Sequence, residues 1–274
     1  MRFALMTEPQ MGLTYAQQLE IVRRAEDAGF EAVYLSGAGL TNQFYGIPDL
    51  GFISLNDVAS HTAAIRDVIR LPLIVDIDVG FGNAVNAHHT IKVLERSGAN
   101  AVQIEDQAMP KRCGHFAGKS IISKEEMCGK IKAAVDARAH DDFLIIARTD
   151  ARSINGLQDA LDRAQAYAQA GADMTFIEAP ESVEEMKTIA SQTYCPQLIN
   201  MVIGGKTPIT DADELSRWGY GLVLYANAAL QGAVAAVWRS TASILVKGSR
   251  FMKMERVIDA LQATATSKED IPCC

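Results

Sequence analysis

The stretch Ser97-Gly98-Ala99-Asn100-Ala101-Val102-Gln103-Ile104-Glu105-Asp106 contains the pattern on which the fold prediction depends. A glycine closes a predicted helix, a short apolar run follows at once, and acidic residues come directly after the run. Glycine suits the left-handed position at which a helix ends and the chain turns back. A short apolar run of this kind is typical of a strand that is buried on both faces of a parallel sheet.

The same pattern recurs around Gly29, Gly171 and Gly219. With the other apolar runs it predicts eight strands: Phe3–Met6, Ala32–Leu35, Leu73–Val75, Ala101–Ile104, Leu144–Ala147, Met174–Ile177, Gln197–Ile199 and Leu222–Tyr225. Helical patterns separate them, at Tyr15–Ala28, Leu55–Ile69, Asn86–Ser97, Lys124–His140, Gly156–Ala170, Val183–Gln192 and Ala212–Trp218. This alternation predicts an α/β fold, a (βα)8 barrel of the TIM type, with a doubly wound open sheet as the alternative.

The chain is expected to form one domain. No linker rich in proline, glycine or serine divides it, so residues 1–274 are predicted to be a single barrel domain. The helical pattern at about 233–265 is longer than one closing helix needs. Extra C-terminal helices are therefore predicted, and their surplus length would suit packing on a neighbouring subunit.

Composition excludes several classes of function. The 274 residues are 49% hydrophobic and carry a formal net charge of −7 without a run of lysine or arginine, which argues against nucleic-acid and anionic-membrane binding. No apolar stretch reaches the roughly 18 residues of a spanning helix, and no signal-peptide pattern is seen. The five cysteines form no CxxC pair, so neither a disulfide framework nor a zinc site is predicted. A cytoplasmic protein is expected.

Polar residues follow nearly every predicted strand, at the end where barrel enzymes have their active sites. They are Ser36-Gly37-Ala38-Gly39, Asp76-Ile77-Asp78, Glu105-Asp106, Arg148-Thr149-Asp150, Glu178 and Asn200. The carboxylates predict a site for Mg²⁺ or Mn²⁺, although Asp76 or Asp78 alone would also serve as a helix cap. Arg148 would bind a substrate carboxylate through two hydrogen bonds, or pair with Glu105 or Glu178. The amides of the Ser36–Gly39 turn would bind a carboxylate or phosphate, and a plain tight turn is the alternative.

The segment Gln107–Ser123 is predicted to be a long loop, closed by a capping box of Ser123 and Glu126. It contains Lys111-Arg112-Cys113-Gly114-His115. Neighbouring cations favour the thiolate of Cys113 and make its sulfur reactive. This segment is predicted to be an active-site lid, and an ordinary basic surface loop is the alternative.

Together these motifs resemble the isocitrate lyase/phosphoenolpyruvate mutase superfamily, most closely its short lyases of the 2-methylisocitrate and 2,3-dimethylmalate type. The matching segments are Tyr34–Gly37, Pro48–Gly51, Val75–Gly82, Ile104–Gln107, Lys111–His115, Ala147–Asp150, Asn200-Met201 and Gly204–Pro208. The Lys-Arg-Cys-Gly-His loop is typical of the lyases and not of the phosphonate mutases.

The resemblance implies a Mg²⁺-dependent lyase, with Mn²⁺ as a substitute, that cleaves a 2-hydroxy di- or tricarboxylate to pyruvate and succinate or a short acid. It also implies a homotetramer that exchanges C-terminal helices. The implied roles are carboxylate binding by Ser36, Gly37 and Ala38, metal binding by Asp76 with Asp49, Asp78 and Glu105, oxyanion or carboxylate binding by Arg148, contact with the second product by Glu178 and Asn200, general acid catalysis by Cys113, and shaping of its loop by Lys111, Arg112 and His115.

Two segments depart from the pattern of that superfamily. Residues 1–29 resemble the opening of luciferase-like flavin-dependent monooxygenases, and Tyr225-Ala226-Asn227-Ala228 lacks the apolar and proline pattern of methylisocitrate lyases. The substrate is therefore left open. The alternatives are an oxaloacetate hydrolase, a phosphonopyruvate-type mutase or hydrolase, a flavin-dependent oxidoreductase and an inactive chimeric scaffold.

Overall fold

The computed structural model describes residues 30–112, 118–202 and 205–226, and the backbone of 2–7. Eight parallel strands close into a barrel in chain order. They are β1 Arg2–Thr7, β2 Ala32–Leu35, β3 Leu73–Asp76, β4 Ala101–Glu105, β5 Leu144–Thr149, β6 Met174–Ile177, β7 Gln197–Val202 and β8 Tyr220–Ala226. Because β8 pairs with β1, the predicted (βα)8 barrel is confirmed and the doubly wound sheet is excluded.

Six helices of seven or more residues lie between the described strands: α1 Leu55–Arg66, α2 Ala84–Arg96, α3 Lys124–Ala137, α4 Leu157–Gln169, α5 Val183–Gln192 and α6 Ala212–Trp218. Gly98, Gly171 and Gly219 have φ angles of 94°, 108° and 106°, as the sequence pattern predicted. A Cβ atom at Gly98 would lie 2.4 Å from Cγ of Arg66, so both conformation and space require glycine there.

Several strands run past their predicted ends. The pairing of β4 with β5 continues to Glu105 and Arg148, and β3 includes Asp76. These polar residues were expected to follow the strands, but the ladder of backbone hydrogen bonds continues through them. As a result, their side chains obey the strand alternation, which fixes the direction in which each one points.

Alternation along the strands divides the core into an outer and an inner part. Val33, Val75, Val102 and Ile145 face outward and pack in a cluster with helix residues such as Ile91 of α2. The inward-facing apolar side chains form a separate cluster inside the barrel: Ala32, Tyr34, Ile74, Ala101, Ile146, Phe176, Leu198, Leu222 and Leu224. This inner cluster fills the barrel beneath the ends of the strands.

Two helical turns were not predicted, at Gly37–Gly39, continued by the wider turn Leu40–Phe44, and at Arg152–Asn155. The described residues belong to one compact unit. The predicted helices at Tyr15–Ala28 and about 233–265 lie outside them, so the prediction of one domain over 1–274 stays a prediction. Among the described helices, none has both the length and the apolar character needed to cross a membrane.

Candidate active site

Strand alternation brings the predicted site residues to the mouth of the barrel. Asp76, Arg148, Glu178 and Asn200 each come two residues after an inward apolar residue of the inner cluster, and Glu105 comes two residues after Gln103. All of them therefore point inward from neighbouring strands. Asp76, Glu105 and Glu178 are buried. The sequence placed these residues at one rim, and the structure turns their side chains toward one another.

Arg148 lies among three carboxylates. Its Nη1 is 3.2 Å from Glu105 Oε2, and its Nε is 3.6 Å from Glu178 Oε2. Nε and Nη2 donate to the two oxygens of Asp150 at 3.1 and 3.2 Å. Burial disfavours the charge of Arg148, but Asp150, Glu105 and Glu178 outweigh it and hold the pKa of the guanidinium above its usual range. Arg148 was predicted to bind a substrate carboxylate or to pair with Glu105 or Glu178. The structure shows the ion pairs with both glutamates.

Lys111 joins two carboxylates that were predicted to bind metal. Its Nζ lies 2.5 Å from Asp49 Oδ1 and 2.6 Å from Asp78 Oδ1, and all three side chains are buried. The resemblance gave Lys111 only a part in shaping the loop, whereas its ammonium group lies inside the carboxylate cluster. Burial lowers the pKa of Lys111, but Asp78 and Asp49 outweigh it and raise that pKa well above its usual value.

Asp76 is held by donors from three segments. Gly37 N donates to its Oδ2 at 3.2 Å, and Asp78 N donates to its Oδ1 at 3.1 Å. Gln103 Nε2 donates to Oδ1 at 3.4 Å and in turn Gln103 accepts a hydrogen bond from Tyr34. A Cβ atom at Gly37 would lie 3.3 Å from Asp76 Oδ2, so the glycine permits this close approach.

The predicted carboxylate-binding turn is engaged with the protein itself. Ser36 is buried, and its Oγ accepts a hydrogen bond from Gly39 N at 3.0 Å. Gly37 N is directed at Asp76, as described above, and Ala38 is partly buried. Ser36, Gly37 and Ala38 therefore lie beside the carboxylate cluster.

The carboxylates fit a hard divalent cation, although they do not form a complete cage. Within the described residues, no group of three or more His, Cys, Asp or Glu side chains is arranged as a ready metal site. Mg²⁺, however, commonly uses one or two carboxylates and keeps several waters. The buried Glu105 Oε1 has no hydrogen-bond partner among the described residues, and a cation would satisfy it.

Electrostatics favours the same conclusion. Burial raises the pKa of Asp78 to about 6, and it raises the pKa of Glu105 well above its usual value. Lys111 opposes the shift at Asp78, and Arg148 opposes it at Glu105, yet both pKa values stay raised. Burial therefore outweighs both cations, and a divalent cation would lower both pKa values.

The loop after β4 is fixed at both of its ends. Gln107 Nε2 donates to Arg112 O at 2.8 Å, and Arg112 N donates to Gln107 Oε1 at 2.9 Å. Ala108 N donates to Ser120 O, and Ser123 Oγ accepts from Glu126 N, which starts α3. Cys113 and His115, the predicted general acid and its neighbour, lie outside the described residues.

A second set of polar residues lies behind the site and fixes its strand ends; the sequence placed Asp106, Thr149 and Asp150 at the strand ends but gave them no role, and it did not identify Arg163 or Tyr167. Asp106 Oδ2 accepts hydrogen bonds from Thr149 Oγ1 at 2.6 Å, Tyr167 OH at 2.7 Å and Arg163 Nη1 at 3.2 Å. Its Oδ1 accepts from Asp150 N at 3.0 Å. This network fixes the end of β4 against the end of β5. The available signal was the pair of acidic residues, Asp106 and Asp150, directly after two buried strands.

The fold and the site together define a barrel enzyme with a buried, carboxylate-rich centre. The sequence profile of the phosphoenolpyruvate phosphomutase family matches residues 21–245. The chain is 47% identical to 2,3-dimethylmalate lyase of Eubacterium barkeri over 76% of this chain and 72% of that one. It is 41% identical to 2-methylisocitrate lyase of Salmonella typhimurium over 98% of this chain and 90% of that one. The chain therefore belongs to the phosphoenolpyruvate phosphomutase family, and it is a carbon–carbon lyase.

Solved structures lead to the same family. A 2,3-dimethylmalate lyase structure has a TM-score of 0.78 and 30% identity, covering 99% of this chain and 94% of that one. An oxaloacetate acetylhydrolase complex has a TM-score of 0.79 and 27% identity, covering 97% and 93%. Phosphonopyruvate hydrolase with oxalate and Mg²⁺ has a TM-score of 0.72 and 29% identity, covering 98% and 95%. Family membership favours the lyase interpretation over a flavin-dependent oxidoreductase, and the Salmonella alignment extends into residues 1–29.

Proposed function

We propose that this chain is a Mg²⁺-dependent lyase that cleaves a 2-hydroxy di- or tricarboxylate of the 2-methylisocitrate or 2,3-dimethylmalate type. The products would be pyruvate and succinate or a short carboxylic acid. The observation that carries the proposal is Arg148, a buried cation at the barrel mouth with Glu105 and Glu178 beside it. A substrate with at least two carboxylates needs such a cation, and the names of the two sequence relatives support this substrate class.

The proposed reaction breaks one C–C bond. The substrate hydroxyl loses its proton and becomes the carbonyl of the 2-oxo acid. The electron pair of the broken bond stays on the other fragment, beside a carboxylate, and that carbon takes up a proton. When bound, Mg²⁺ would stabilise the negative charge that develops on the 2-oxo side.

The residues of the chain would divide the remaining tasks. Arg148 would hold the oxyanion or a carboxylate by two parallel hydrogen bonds, and Cys113 would donate the proton as general acid. The other proposed roles are metal binding by Asp76 with Asp49, Asp78 and Glu105, binding of the 2-oxo-acid carboxylate by Ser36, Gly37 and Ala38, contact with the second product by Glu178 and Asn200, and shaping of the loop by Lys111, Arg112 and His115.

A substrate panel tests the proposal. Purified protein with Mg²⁺ is incubated with 2-methylisocitrate, 2,3-dimethylmalate, isocitrate and oxaloacetate, and the release of 2-oxo acid or oxalate is measured. We expect pyruvate from one of the first two substrates, and no turnover after the metal is removed with EDTA. Cys113→Ser should reduce turnover roughly 10²- to 10⁴-fold if the thiol is the general acid. Pyruvate release that is unchanged by EDTA would contradict the metal requirement.

Hydrolysis of oxaloacetate is the second candidate. It is favoured by the TM-score of 0.79 to oxaloacetate acetylhydrolase. In that reaction water attacks the substrate, and the panel would release oxalate and acetate instead of pyruvate. The cytoplasmic location and the homotetramer with exchanged C-terminal helices stay predictions, which fractionation and light scattering would test.

A further inference from the structure

A buried ion pair joins the far end of the loop to the end of β5. Lys119 Nζ lies 2.5 Å from Asp150 Oδ1, and the two side chains are 2% and 0% exposed. Lys119 follows the Lys111–His115 motif, and Asp150 follows Arg148. A buried pair of this kind is maintained only where its geometry is good, because each ion loses its hydration.

Asp150 is shared between two cations. Besides Lys119, it holds Arg148 through both oxygens, at 3.1 and 3.2 Å. Asp150 N is itself bound by Asp106, so the position of the carboxylate is fixed from below. Burial raises the pKa of Asp150, but Arg148 and Lys119 outweigh it and leave the pKa below its usual value. A single carboxylate therefore sets the position of the loop lysine and of the guanidinium.

The other end of the loop is attached to the same site. Lys111 contacts Asp49 and Asp78, and Gln107 fixes Arg112 by two hydrogen bonds. Each end of the loop therefore carries a buried lysine that contacts a site carboxylate. If Lys119 were neutral, the full charge of Asp150 would act on Arg148 and draw the guanidinium away from a ligand.

We propose that Lys119 is a positioning residue that couples the 107–123 loop to Arg148 through Asp150, and so keeps Arg148 available for the carboxylate of a ligand. This inference rests on the proposed function, in which Arg148 binds a carboxylate. Lys119 acts through Asp150 and not on the substrate itself.

The test is a double-mutant cycle read by calorimetry, with oxalate and Mg²⁺ as the probe. The variants are Lys119→Gln, Arg148→Gln and their combination, with Lys132→Met as the matched control at an exposed lysine of α3. We expect Lys119→Gln to weaken oxalate binding about tenfold in the wild-type background and less than twofold in the Arg148→Gln background. Lys119→Arg, which keeps the charge, should restore binding to within about threefold. Equal losses in both backgrounds, or no loss, would overturn the coupling.

Hydrogen exchange of the wild-type protein gives a second measurement, which does not depend on whether a variant folds. Oxalate with Mg²⁺ should slow amide exchange both at 118–122 and at 148–150, and slowing at 148–150 alone would overturn the coupling. Pyruvate release with additive mutational losses would refute the coupling and leave the proposed function intact. Non-additive losses of oxalate binding, together with no turnover on any substrate, would support the coupling and refute the proposed function. A wild-type protein that releases pyruvate but does not bind oxalate would refute the carboxylate-binding role of Arg148 on which the coupling rests.

Discussion

The inside of the barrel has two layers of opposite character, although the same strands build both. The lower layer is apolar and the upper layer is charged or polar, and on four strands one residue lies between the apolar member of a pair and the polar member. The pairs are Ile74 and Asp76, Ile146 and Arg148, Phe176 and Glu178, and Leu198 and Asn200. Strand alternation directs both members of a pair inward, so the direction of the side chains does not explain the difference; the polar members lie at the mouth of the barrel and the apolar members lie below them.

The difference separates the residues that stabilise the barrel from those that are suited to chemistry. Burial of the lower layer releases water from apolar surface, which stabilises the fold. Burial of the upper layer costs free energy, because each charged group loses its hydration, and burial raises the pKa of the neighbouring Glu105 well above its usual value. The upper layer therefore lowers the stability of the fold, and the apolar lower layer supplies the stability that offsets this cost.

The largest effect is expected for Arg148→Gln in the upper layer. The change removes the cation between Glu105, Asp150 and Glu178, so kcat/KM should fall about 10³-fold, or about 4 kcal/mol of transition-state stabilisation. Steady-state kinetics on the best substrate of the panel measures it. Arg96→Gln, at an exposed arginine of α2, is the control and should keep normal activity. A loss of kcat/KM below about tenfold would mean that a group other than Arg148 binds the carboxylate of the ligand.

The next effect concerns stability, at Ile146, two residues earlier on the same strand and face. Ile146→Ala empties part of the inner cluster and should lower the free energy of unfolding by about 2–5 kcal/mol, while kcat/KM of the folded protein stays within about threefold. Leu144→Ala is the matched control, because Leu144 is 40% exposed and should cost less than about 1 kcal/mol. Urea denaturation measures both. If Ile146→Ala reduced activity as much as Arg148→Gln, the two layers would not be functionally separate.

Most of the fold could be predicted from sequence, because it depends on local signals. The apolar runs and the glycines at Gly98, Gly171 and Gly219 identified the strands and the helix ends, and the predicted bounds of α5 and α6 are the observed ones. The ends of β3, β4, β5 and β7 were predicted too early, since a polar side chain does not stop backbone pairing. A turn at Ser36–Gly39 was predicted, but its continuation at Leu40–Phe44 and the turn at Arg152–Asn155 have no amphipathic period and gave no signal.

The site could be predicted less completely, because its contacts join residues that are distant in sequence. The strand ends identified Asp76, Glu105 and Arg148. The contact of Lys111 with Asp49 joins two segments that are distant in sequence, and no spacing rule gives it. The same holds for Lys119 and Asp150, which are 31 positions apart.

A smaller effect is expected behind the upper layer, at Tyr167. Tyr167→Phe removes the 2.7 Å hydrogen bond to the buried Asp106 and the 3.2 Å hydrogen bond that the hydroxyl accepts from Arg163 Nη1, and it should cost about 1.5–3 kcal/mol of stability because both partners are charged. Tyr220→Phe is the matched control, since its hydroxyl donates to the neutral carbonyl of Met186 at 2.9 Å and should cost about 1 kcal/mol. Chemical denaturation of the two variants compares them. Equal costs would mean that the charges of Asp106 and Arg163 add nothing to the hydrogen bonds of Tyr167.

The smallest effect is expected at the surface, at the pair of His140 and Glu95, in which the imidazole is exposed to water. His140 Nδ1 is 2.9 Å from Glu95 Oε1, and this hydrogen bond and the charge of Glu95 raise the pKa of His140 above 6.5. Because the folded pKa exceeds the unfolded value of about 6.5, the pair stabilises the fold fully below that pH and loses its effect as the pH rises through the folded pKa.

His140→Gln removes this titration but keeps the backbone hydrogen bonds from Ala139 N and residue 140 N to Glu95. Thermal unfolding of wild type and variant, followed from about pH 5.5 to about pH 8.5, should show a wild-type advantage only at the acidic end. That advantage should be no more than about 1 °C, because solvent screens an exposed pair. An advantage that grew toward alkaline pH would contradict the direction of the pKa shift. A wild-type advantage as large as the loss of stability in Ile146→Ala would mean that burial does not decide how much a residue contributes to the stability of this barrel.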